Sequence, residues 1–318
     1  MNKRLALLWP LLLAVLLLFS ACGTSQKTTL TIAEQFGVAY APIQIMKREG
    51  LLEAALPDTQ INWVQLGGPT AIREGMLTGE IDVGFLGIGP MLIGVDTGMS
   101  WKAFTALSAN EVSFITNRDD IHSLADIDPD DRIAVISPGC TQHVLLCMAA
   151  DQQFGDPDQF DRQLVSLSHP DAMSAMLAGG EIVLHITTPP YADLELQNGM
   201  HKILTGQDVM GGSFTFICGV ADTKLYEENR SMYDAVQEGI SAAMALINAD
   251  LHAAAESLAP EYGVDAEMLY EMMRYDGTIY QKTLTGIETF AAAMVDMGLL
   301  SHVPTAAEYA FTNVEVAP

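Results

Sequence analysis

From Thr29 onward the chain alternates between short apolar runs of strand type and longer runs with helical spacing. Strand-like segments such as INWVQL (61–66) and IDVGFLG (81–87) are separated by helical segments such as PTAIREGMLTG (69–79). The same alternation returns in the second hundred residues, from DRIAVIS to EIVLHIT. Strands that alternate with helices over connections this short predict mainly parallel sheets with helices on both faces.

Two segments about a hundred residues apart share one pattern. PTAIREGMLTGEI begins at Pro69 and PDAMSAMLAGGEI begins at Pro170, and each precedes a strand and a proline-containing turn. This echo suggests two lobes of similar design, each an α/β unit with a mainly parallel sheet, joined by two hinge strands. We predict that residues 29–112 and 214–318 form lobe I and that residues 113–213 form lobe II.

The return crossing between the lobes is predicted in MGGSFTFICG, residues 210–219. A pair of glycines before a β-rich run is typical of a hinge, because it can absorb a backbone rotation. Beyond this segment the pattern predicts an almost wholly helical chain, with helices over residues 233–259 and 280–300.

The N-terminus has the features of an export signal. A basic dipeptide, KR, precedes LALLWPLLLAVLLLF, and this run of roughly 15 residues is typical of a signal peptide and short for a membrane span. The run ends in FSAC, which resembles a bacterial lipobox with Phe19 in place of the usual leucine. We predict a lipoprotein signal peptide over 1–21, lipidation of Cys22 and a flexible tether over 22–28. An ordinary secretory signal and an uncleaved anchor are the alternatives.

The charge balance excludes several classes of partner. The chain has a formal net charge of −25, and loss of residues 1–21 would leave 13 basic against 40 acidic residues, a charge of −27. So acidic a surface argues against nucleic acid as a partner and against broad docking on anionic lipid. It does not exclude a small anionic ligand, because backbone amides at a helix N-terminus can bind one locally.

Cysteine and histidine spacings favour neither metal nor cofactor binding. The cysteines beyond Cys22 are Cys140, Cys147 and Cys218, an odd set without zinc-finger spacing, and we expect free buried thiols. The histidines lack metal-binding spacings, and phosphate-binding fingerprints are absent. Cys140 beside a predicted helix start would have a lowered thiol pKa. With His143 it is the one local pair that suggests nucleophilic chemistry, but no third orienting group is evident.

Polar and glycine-rich turns follow the predicted strands of both lobes. In lobe I they are QFG (35–37), GGPT (67–70) and GIGP (87–90); in lobe II they are SPGCTQH (137–143) and TTPPY (187–191). Glycines before a helix let a ligand approach backbone N–H groups, and ligands of open α/β sheets bind beyond the carboxyl ends of the strands. We therefore predict a ligand cleft between these turns. Alternatively, the glycines only permit tight turns, Thr188 caps a helix and Tyr191 packs in the core.

These residues resemble a known family. LTIAEQFGVAYAPIQIMKREGLLE, GGPTAIREGMLTGEIDVGFLGIGPMLIG and DRIAVISPG with a following histidine are similar to the periplasmic solute-binding components of ABC importers for nitrate, taurine and aliphatic sulfonates. The resemblance extends over residues 28–300. The second lobe also resembles a subgroup that usually reads Asp-Ala-His-Phe-Thr-Ser-Pro-Pro-Phe, but Val183-Leu184, Ile186 and Thr188 depart from that pattern.

The resemblance implies a type II periplasmic-binding-protein fold that closes on a solute like a hinged clamp. It implies no enzymatic activity and no cofactor, and it implies an extracytoplasmic, lipid-anchored monomer whose partners are an ABC permease and its ATPase. The ligand contacts it nominates, together with two nearby polar residues, are Gln35, Phe36, Tyr40, Gly68, Thr70, Gly87, Gly89, Ser137, Thr141, Gln142, Thr187, Thr188, Tyr191 and Ser213.

Two other functions stay open at this point. The same architecture also carries enzymes, and Cys140 with His143 would be the residues to test for turnover. The chain could also be the ligand-sensing partner of a membrane receptor. The ligand itself is either a sulfonate or nitrate bound by neutral donors or a less polar organic solute, because Arg48 and Arg73 lie within predicted helices.

Overall fold

The structure is a computed structural model that describes residues 28–275 and 277–317. The predicted signal peptide, Cys22 and nearly all of the predicted tether lie outside the described residues. In the part of the chain that is described, no helix is both long and apolar enough to cross a membrane.

The first part of the chain alternates strands and helices as its pattern predicts. Its elements are β1 (Thr29–Glu34), α1 (Ala41–Arg48), α2 (Leu51–Ala55), β2 (Gln60–Gln65), α3 (Pro69–Thr78), β3 (Val83–Gly87), α4 (Ile88–Asp96) and β4 (Trp101–Ala109). Proline lies in the first turn of α3, where a backbone N–H would have no helical partner, and Gly79 ends that helix in a left-handed conformation.

The middle of the chain repeats this arrangement. Its elements are β5 (Ser113–Thr116), β6 (Arg132–Val135), α5 (Thr141–Phe154), β7 (Leu164–Ser166), α6 (His169–Ala178), β8 (Ile182–Thr187), α7 (Tyr191–Gln197), β9 (His201–Thr205) and α8 (Gly206–Met210). Thr205 caps α8 through a capping box with Asp208.

The last part is mainly helical. Its elements are β10 (Ile217–Asp222), α9 (Thr223–Glu228), α10 (Arg230–Ala249), α11 (Leu251–Tyr262), α12 (Ala266–Arg274), β11 (Ile279–Tyr280), α13 (Ile287–Asp296) and α14 (Ala306–Tyr309). Asp250 separates α10 from α11, and its side chain accepts a hydrogen bond from the N–H of Ala253 as an N-cap.

The strands form two sheets flanked by helices, which confirms the predicted α/β fold class, but both sheets are mixed and not mainly parallel as predicted. The six-stranded sheet has the order β11-β4-β10-β3-β1-β2, and the five-stranded sheet has the order β7-β6-β8-β5-β9. In each sheet three strands are parallel: β2, β1 and β3 in the first, and β7, β6 and β8 in the second. The strands next to the crossings, β10, β4 and β5, pair antiparallel with their neighbours.

The chain passes twice between the sheets. Residues 110–112 lead from β4 to β5, and residues 211–216 lead from α8 back to β10. We propose these crossings as the hinges of the two lobes, with residues 29–112 and 214–318 as lobe I and residues 113–213 as lobe II. Gly211 lies in the second crossing with a φ of 73°, a conformation that favours glycine.

The sequence echo marks equivalent elements, displaced by one residue. Both copies form a helix followed by a buried strand, α3 with β3 and α6 with β8. The buried side chains include Ile72 and Met76 in one helix and Ala172 and Met176 in the other, a spacing of 100, whereas the matched prolines are 101 apart. Residues 100 apart therefore occupy equivalent buried positions in α3 and α6, although the prolines are 101 apart.

One helix prediction was wrong in its first third. Residues 280–286 are not helical: Tyr280 belongs to β11, which pairs with β4, and Leu284 forms a bridge with Val316. The helix α13 starts only at Ile287, after Gly286 in a left-handed conformation. Pairing with the edge of the sheet replaces helical hydrogen bonds in a segment whose apolar spacing alone was compatible with a helix.

Candidate functional site

A cavity lies between the two sheets, at the turns that follow their parallel strands. About 400 Å³ of space, its opening to solvent included, is left between the surrounding protein atoms. The lining residues come from both proposed lobes. They are Gln35, Phe36, Tyr40, Gly67, Pro69, Gly87, Pro90, Ile136, Cys140, Thr141, Gln142, His169, Thr188, Phe216 and Ile217.

Three helices begin at this cavity. Pro69 is the first residue of α3, α4 starts directly after Gly87, and Thr141 is the first residue of α5. The backbone N–H groups of a first helical turn have no helical partner and carry the partial positive charge of the helix dipole. Among the described residues that line the cavity there is no lysine, arginine, aspartate or glutamate. The cavity therefore offers neutral side chains and backbone donors.

On the lobe I side, the end of β1 places a polar wall. Gln35 is buried, and its amide donates to the carbonyl of Phe85 at 3.3 Å, which holds the side chain against the neighbouring strand. The preceding carboxyl group, Glu34, is also buried, and its burial raises the pKa to about 8 although Lys47 opposes the shift. Burial likewise raises the pKa of the Tyr40 hydroxyl well above its usual value. Both groups are therefore mainly uncharged at neutral pH.

Two turns of opposite lobes make a direct backbone contact beside the cavity. The N–H of Val38 donates to the carbonyl of Pro189 at 3.0 Å. Two tyrosines hold the lobe I partner of this contact: Tyr262 donates to the carbonyl of Gly37 at 3.2 Å, and Tyr280 donates to the carbonyl of Val38 at 3.0 Å. The position of the 37–38 turn is thus set by α11 and β11.

A second pair of turns is also in direct contact. The N–H of Gly89 donates to Thr141 Oγ1 at 3.2 Å, and a Cβ atom placed on Gly87 would be 2.3 Å from the same oxygen. A Cβ atom on Gly68 would be 2.7 Å from Ile136 Cγ2. These glycines allow the two turns to approach each other, and we refer to this arrangement as the closed form.

A buried chain of hydrogen bonds leads from the cavity into lobe II. Gln142 Nε2 lies 3.2 Å from His169 Nε2, His169 Nδ1 lies 3.0 Å from His185 Nε2, and His185 Nδ1 lies 2.6 Å from Glu195 Oε1. Thr187 Oγ1 is 3.4 Å from His169 Nδ1. We refer to Gln142, His169, His185 and Glu195 as the polar chain.

Burial dominates the titration of the polar chain. Its members are at most 3 % exposed. Burial raises the pKa of Glu195 to about 8, and it lowers the pKa of His185 and, even more strongly, that of His169. The uncharged form of each group is favoured because no water reaches it to solvate a charge. The polar chain is therefore mainly neutral at pH 7.

The structure brings together half of the predicted contact residues. The ones that line the cavity are Gln35, Phe36, Tyr40, Gly87, Thr141, Gln142 and Thr188. The others lie nearby or apart: Gly68 and Gly89 pack against the opposite turn, Thr70 and Ser137 line an outer cleft, Thr187 and Tyr191 contact His169, and Ser213 is exposed.

The turn 187–191 has a different arrangement from the one that its hydroxyls suggested. Thr188 lines the cavity and does not cap α7, whose N-cap is Pro190. Thr187 points instead to the polar chain, and Tyr191 stacks on the ring of His169 at 5.5 Å between centroids. Neither Thr187 nor Tyr191 lines the cavity in this closed form.

Sequence reasoning missed the residues whose partners are distant in the chain. His169 and His185 are 16 residues apart, and only the parallel arrangement of lobe II brings their rings within 5.1 Å of each other. Phe216 and Ile217 enter the cavity from the return crossing. The one local signal was a histidine, His185, inside an otherwise apolar strand, because a buried polar side chain requires a partner.

The expectation of a lowered thiol pKa at Cys140 was wrong. Its side chain caps α5 by accepting from the N–H of His143, but the thiol is buried and burial raises its pKa. His143 is also buried and not solvated. Cys140, Cys147 and Cys218 are free and buried, which confirms that prediction.

One group of side chains has ligand atoms within 4.8 Å of one another: His143, Cys147 and Asp161. His143 Nδ1 accepts a hydrogen bond from the N–H of Gly139 at 3.0 Å, so the proton of the neutral ring is on Nε2. Nε2 faces Asp161 and Cys147, where it donates and cannot offer a lone pair to a metal. A metal-bound histidine has the opposite arrangement, in which the second nitrogen donates. This geometry is that of a structural hydrogen bond.

No family model matches the sequence, and no curated protein sequence is detectably similar to it. Solved structures do match the fold. The alkanesulfonate-binding protein SsuA from Xanthomonas axonopodis pv. citri, bound to MOPS, has a TM-score of 0.74 at 19 % identity, over 92 % of this chain and 100 % of that one.

Two further structures agree. The periplasmic aliphatic sulphonate binding protein SsuA from Escherichia coli has a TM-score of 0.68 at 20 % identity, over 92 % of this chain and 95 % of that one. The periplasmic nitrate-binding protein NrtA from Synechocystis PCC 6803 has a TM-score of 0.70 at 13 % identity, over 89 % and 84 %. The chain therefore has the periplasmic-binding-protein fold.

Proposed function

We propose that this protein is an extracytoplasmic solute-binding protein of the nitrate, taurine and sulfonate type. It captures a small solute by closure of two lobes and delivers it to the permease of an ABC importer. The observation that carries this proposal is the cavity at the strand ends of both sheets, bordered by backbone contacts between turns of opposite lobes. The sulfonate- and nitrate-binding neighbours of the same fold support it.

The solute is small and is recognised by neutral donors. The polar groups of the cavity are amides, hydroxyls, an imidazole and the N-termini of three helices. A monovalent oxyanion or a zwitterion with an oxyanion group suits this set, because N–H groups at helix ends stabilise negative charge without a side-chain cation. Phe36, Ile136 and Phe216 supply an apolar surface for a short organic part.

We propose no catalytic role for the site. The nucleophile considered from the sequence, Cys140, has a buried thiol with a raised pKa, so little thiolate is present at neutral pH. The enzyme alternative would require turnover of a bound ligand that Cys140→Ser abolishes.

The test is binding of defined solutes to protein that lacks residues 1–22. Nitrate, taurine and methanesulfonate are screened by thermal shift against chloride at equal ionic strength, and hits are measured by calorimetry. Mass spectrometry of solute that co-purifies with natively expressed protein identifies ligands outside this panel. Absence of any bound or stabilising solute in both experiments would contradict the proposal.

A matched pair of variants locates the site. Thr188→Val removes one buried hydroxyl from the cavity wall and should weaken binding roughly 2- to 13-fold, the value of one neutral hydrogen bond of about 0.5–1.5 kcal/mol. Ser213→Ala removes a hydroxyl that is exposed and outside the cavity lining, and it should leave affinity unchanged. If both variants change the affinity equally, the ligand does not bind at the cavity wall that contains Thr188.

We also propose that Cys22 anchors the protein through lipid on the outer face of the membrane. The lipobox-like FSAC sequence supports this proposal. Full-length Cys22→Ala should be released into the soluble extracytoplasmic fraction, whereas Cys147→Ala should stay with the membrane. Retention of Cys22→Ala would contradict anchoring and leave the proposal on solute binding untouched.

A further inference from the structure

The polar chain does more than fill the interior of lobe II. It contains a histidine pair and a carboxyl group with no opposite charge beside them, and two of its members, Gln142 and His169, line the cavity. Resting on the function proposed above, we propose that His169, His185 and Glu195 are positioning residues. They orient the Gln142 amide with its NH2 group toward the cavity, and binding of an acceptor ligand is thereby linked to the proton on Glu195.

Each neutral imidazole carries one N–H proton, so the hydrogen bonds of the polar chain can run in either of two directions. In one direction the Gln142 NH2 donates to His169, His169 Nδ1–H donates to His185, and His185 Nδ1–H donates to an ionised Glu195. In the other direction a protonated Glu195 donates to His185 Nδ1, His185 Nε2–H donates to His169 Nδ1, and His169 Nε2–H donates to the Gln142 carbonyl. The second direction requires the amide to be turned by 180°, which exchanges its oxygen and nitrogen.

The surroundings favour the direction with a protonated Glu195. Its side chain is 0 % exposed, its Oε1 contacts a single ring nitrogen, and its Oε2 has no hydrogen-bond partner among the described residues. A carboxylate in this position would be a buried charge with one oxygen unpaired, which is costly. The neutral acid leaves a weaker group unpaired, and the raised pKa of Glu195 agrees with this assignment.

Among the described residues, the other titratable groups around Glu195 are not hydrogen-bonded to it. On its own helix, Tyr191 stacks on His169, and Asp193 has a pKa that burial raises. From β9, His201 contacts the carbonyl of Ile121 and Lys202 pairs with Glu111; from α6, Asp171 accepts from Ser168.

The strands beside His185 add little further charge. Strand β5 has no titratable residue, and Arg132 at the start of β6 contacts backbone carbonyls of residues 130 and 131. From α5, His143 faces Asp161 and Cys147.

The direction of the hydrogen bonds in the polar chain decides whether Gln142 presents its NH2 group or its oxygen to the cavity. With Glu195 protonated, the Gln142 carbonyl faces His169 and its NH2 group is left for the cavity, where it can donate to an oxyanion or a carbonyl oxygen. Ionisation of Glu195 reverses every bond and turns the amide oxygen toward the cavity, where it repels such a ligand. An acceptor ligand therefore binds the form that holds the proton, and its affinity decreases as pH rises through the pKa of Glu195.

The first experiment measures the affinity of the wild-type protein for methanesulfonate, nitrate and taurine between pH 6 and 9.5. We expect a plateau up to about pH 7.5 and a fall of up to tenfold per pH unit above a midpoint near 8. Glu195→Gln keeps a donor toward His185 Nδ1, so its affinity should equal that of the wild type at pH 6.5 and vary less than about twofold up to pH 9.5.

The control is Asp193→Asn, which removes a neighbouring carboxyl of raised pKa on the same helix and should preserve the wild-type profile. A wild-type affinity that does not change with pH, or a fall that survives in Glu195→Gln, would overturn the inference.

A second measurement needs no ligand. The ¹⁵N shifts of the His169 and His185 rings at pH 6.5 should show both rings protonated on Nε2, with Nδ1 unprotonated. Protonation on Nδ1 would overturn the inference even if no solute of the panel binds. If both rings have the expected tautomer but no solute of the panel binds, the assigned hydrogen-bond direction is supported and the proposed ligand class is contradicted.

Discussion

Replacing Gly87 with alanine should weaken ligand binding by obstructing the approach of the two lobes. The new Cβ atom would be 2.3 Å from Thr141 Oγ1 and 3.3 Å from Thr141 Cβ. Van der Waals contact begins at roughly 3.5 Å, so the two turns must separate by about 1 Å. Backbone strain is not involved, because Gly87 has φ −64° and ψ 156°, an extended conformation that alanine adopts readily.

The cost follows from the contacts that close the cavity. A separation of this size breaks the hydrogen bond from Gly89 N–H to Thr141 Oγ1 and stretches the one from Val38 N–H to the Pro189 carbonyl. Each is worth about 0.5–1.5 kcal/mol net, so the closed form loses about 1–3 kcal/mol and affinity falls about 5- to 150-fold. The unfolding temperature without ligand should change little, because opening relieves the overlap.

Calorimetry with the identified ligand, and thermal unfolding without it, are the assays. Gly180→Ala is the matched control, because a Cβ atom there meets no heavy atom within 4 Å. If Gly87→Ala binds as tightly as Gly180→Ala, the two turns do not need to meet for binding and the closure argument fails.

Three further predictions concern stability and reactivity. Glu34 has a folded pKa of about 8 against an ordinary 4.5, so its contribution to the free energy of unfolding decreases as the pH rises from about 4.5 to 8. Glu34→Gln should remove this dependence, which amounts to at most about 1.4 kcal/mol per pH unit. Urea unfolding at pH 6, 7 and 8 would detect the change, and an unchanged pH dependence would contradict the assignment. Gly94→Ala places a Cβ atom 2.0 Å from the ring of Trp101, and we expect a loss of about 1–3 kcal/mol by denaturant unfolding; wild-type stability would show that the ring can move aside. In protein without residues 1–22, Cys140 and the other two thiols should react with a thiol reagent only after unfolding, and rapid reaction of the native protein would contradict their burial.

The fold was predictable because its signals are local. Helices such as α3 and α6 carry a proline in the first turn and a glycine at the end. Strand β3 is a continuous apolar run of the kind found in buried parallel strands, and β8 is apolar apart from His185 and Thr187. The exception was residues 280–286. There the apolar spacing is compatible with a helix, and pairing with β4 and Val316, which no local pattern reveals, decided the structure.

The site was predictable only in part, for the same reason. The turns after β1, β3 and β8 could be identified because strand ends and glycines are visible in the sequence, and Gln35, Gly87 and Thr188 do line the cavity. Which of two adjacent hydroxyls faces the cavity depends on the pleat of β8 and on the turn after it. Thr187 is the last residue of that strand and contacts His169, whereas Thr188 lies beyond it. The pairing of His169 with His185 follows from tertiary structure alone.

The strongly acidic composition is compatible with an anionic solute because the buried carboxyl groups near the cavity are protonated at neutral pH. Two carboxyl groups are buried beside residues named above: Glu34 precedes Gln35 and Glu195 ends the polar chain, and burial raises the pKa of both to about 8. At pH 7 both are mainly protonated, so the negative charge of the molecule is carried by its exposed surface. Inside, the helix N-termini act on a ligand without opposition from a nearby carboxylate. The same argument limits this advantage to conditions below about pH 8, since ionisation of either group would place a poorly screened negative charge behind the cavity wall.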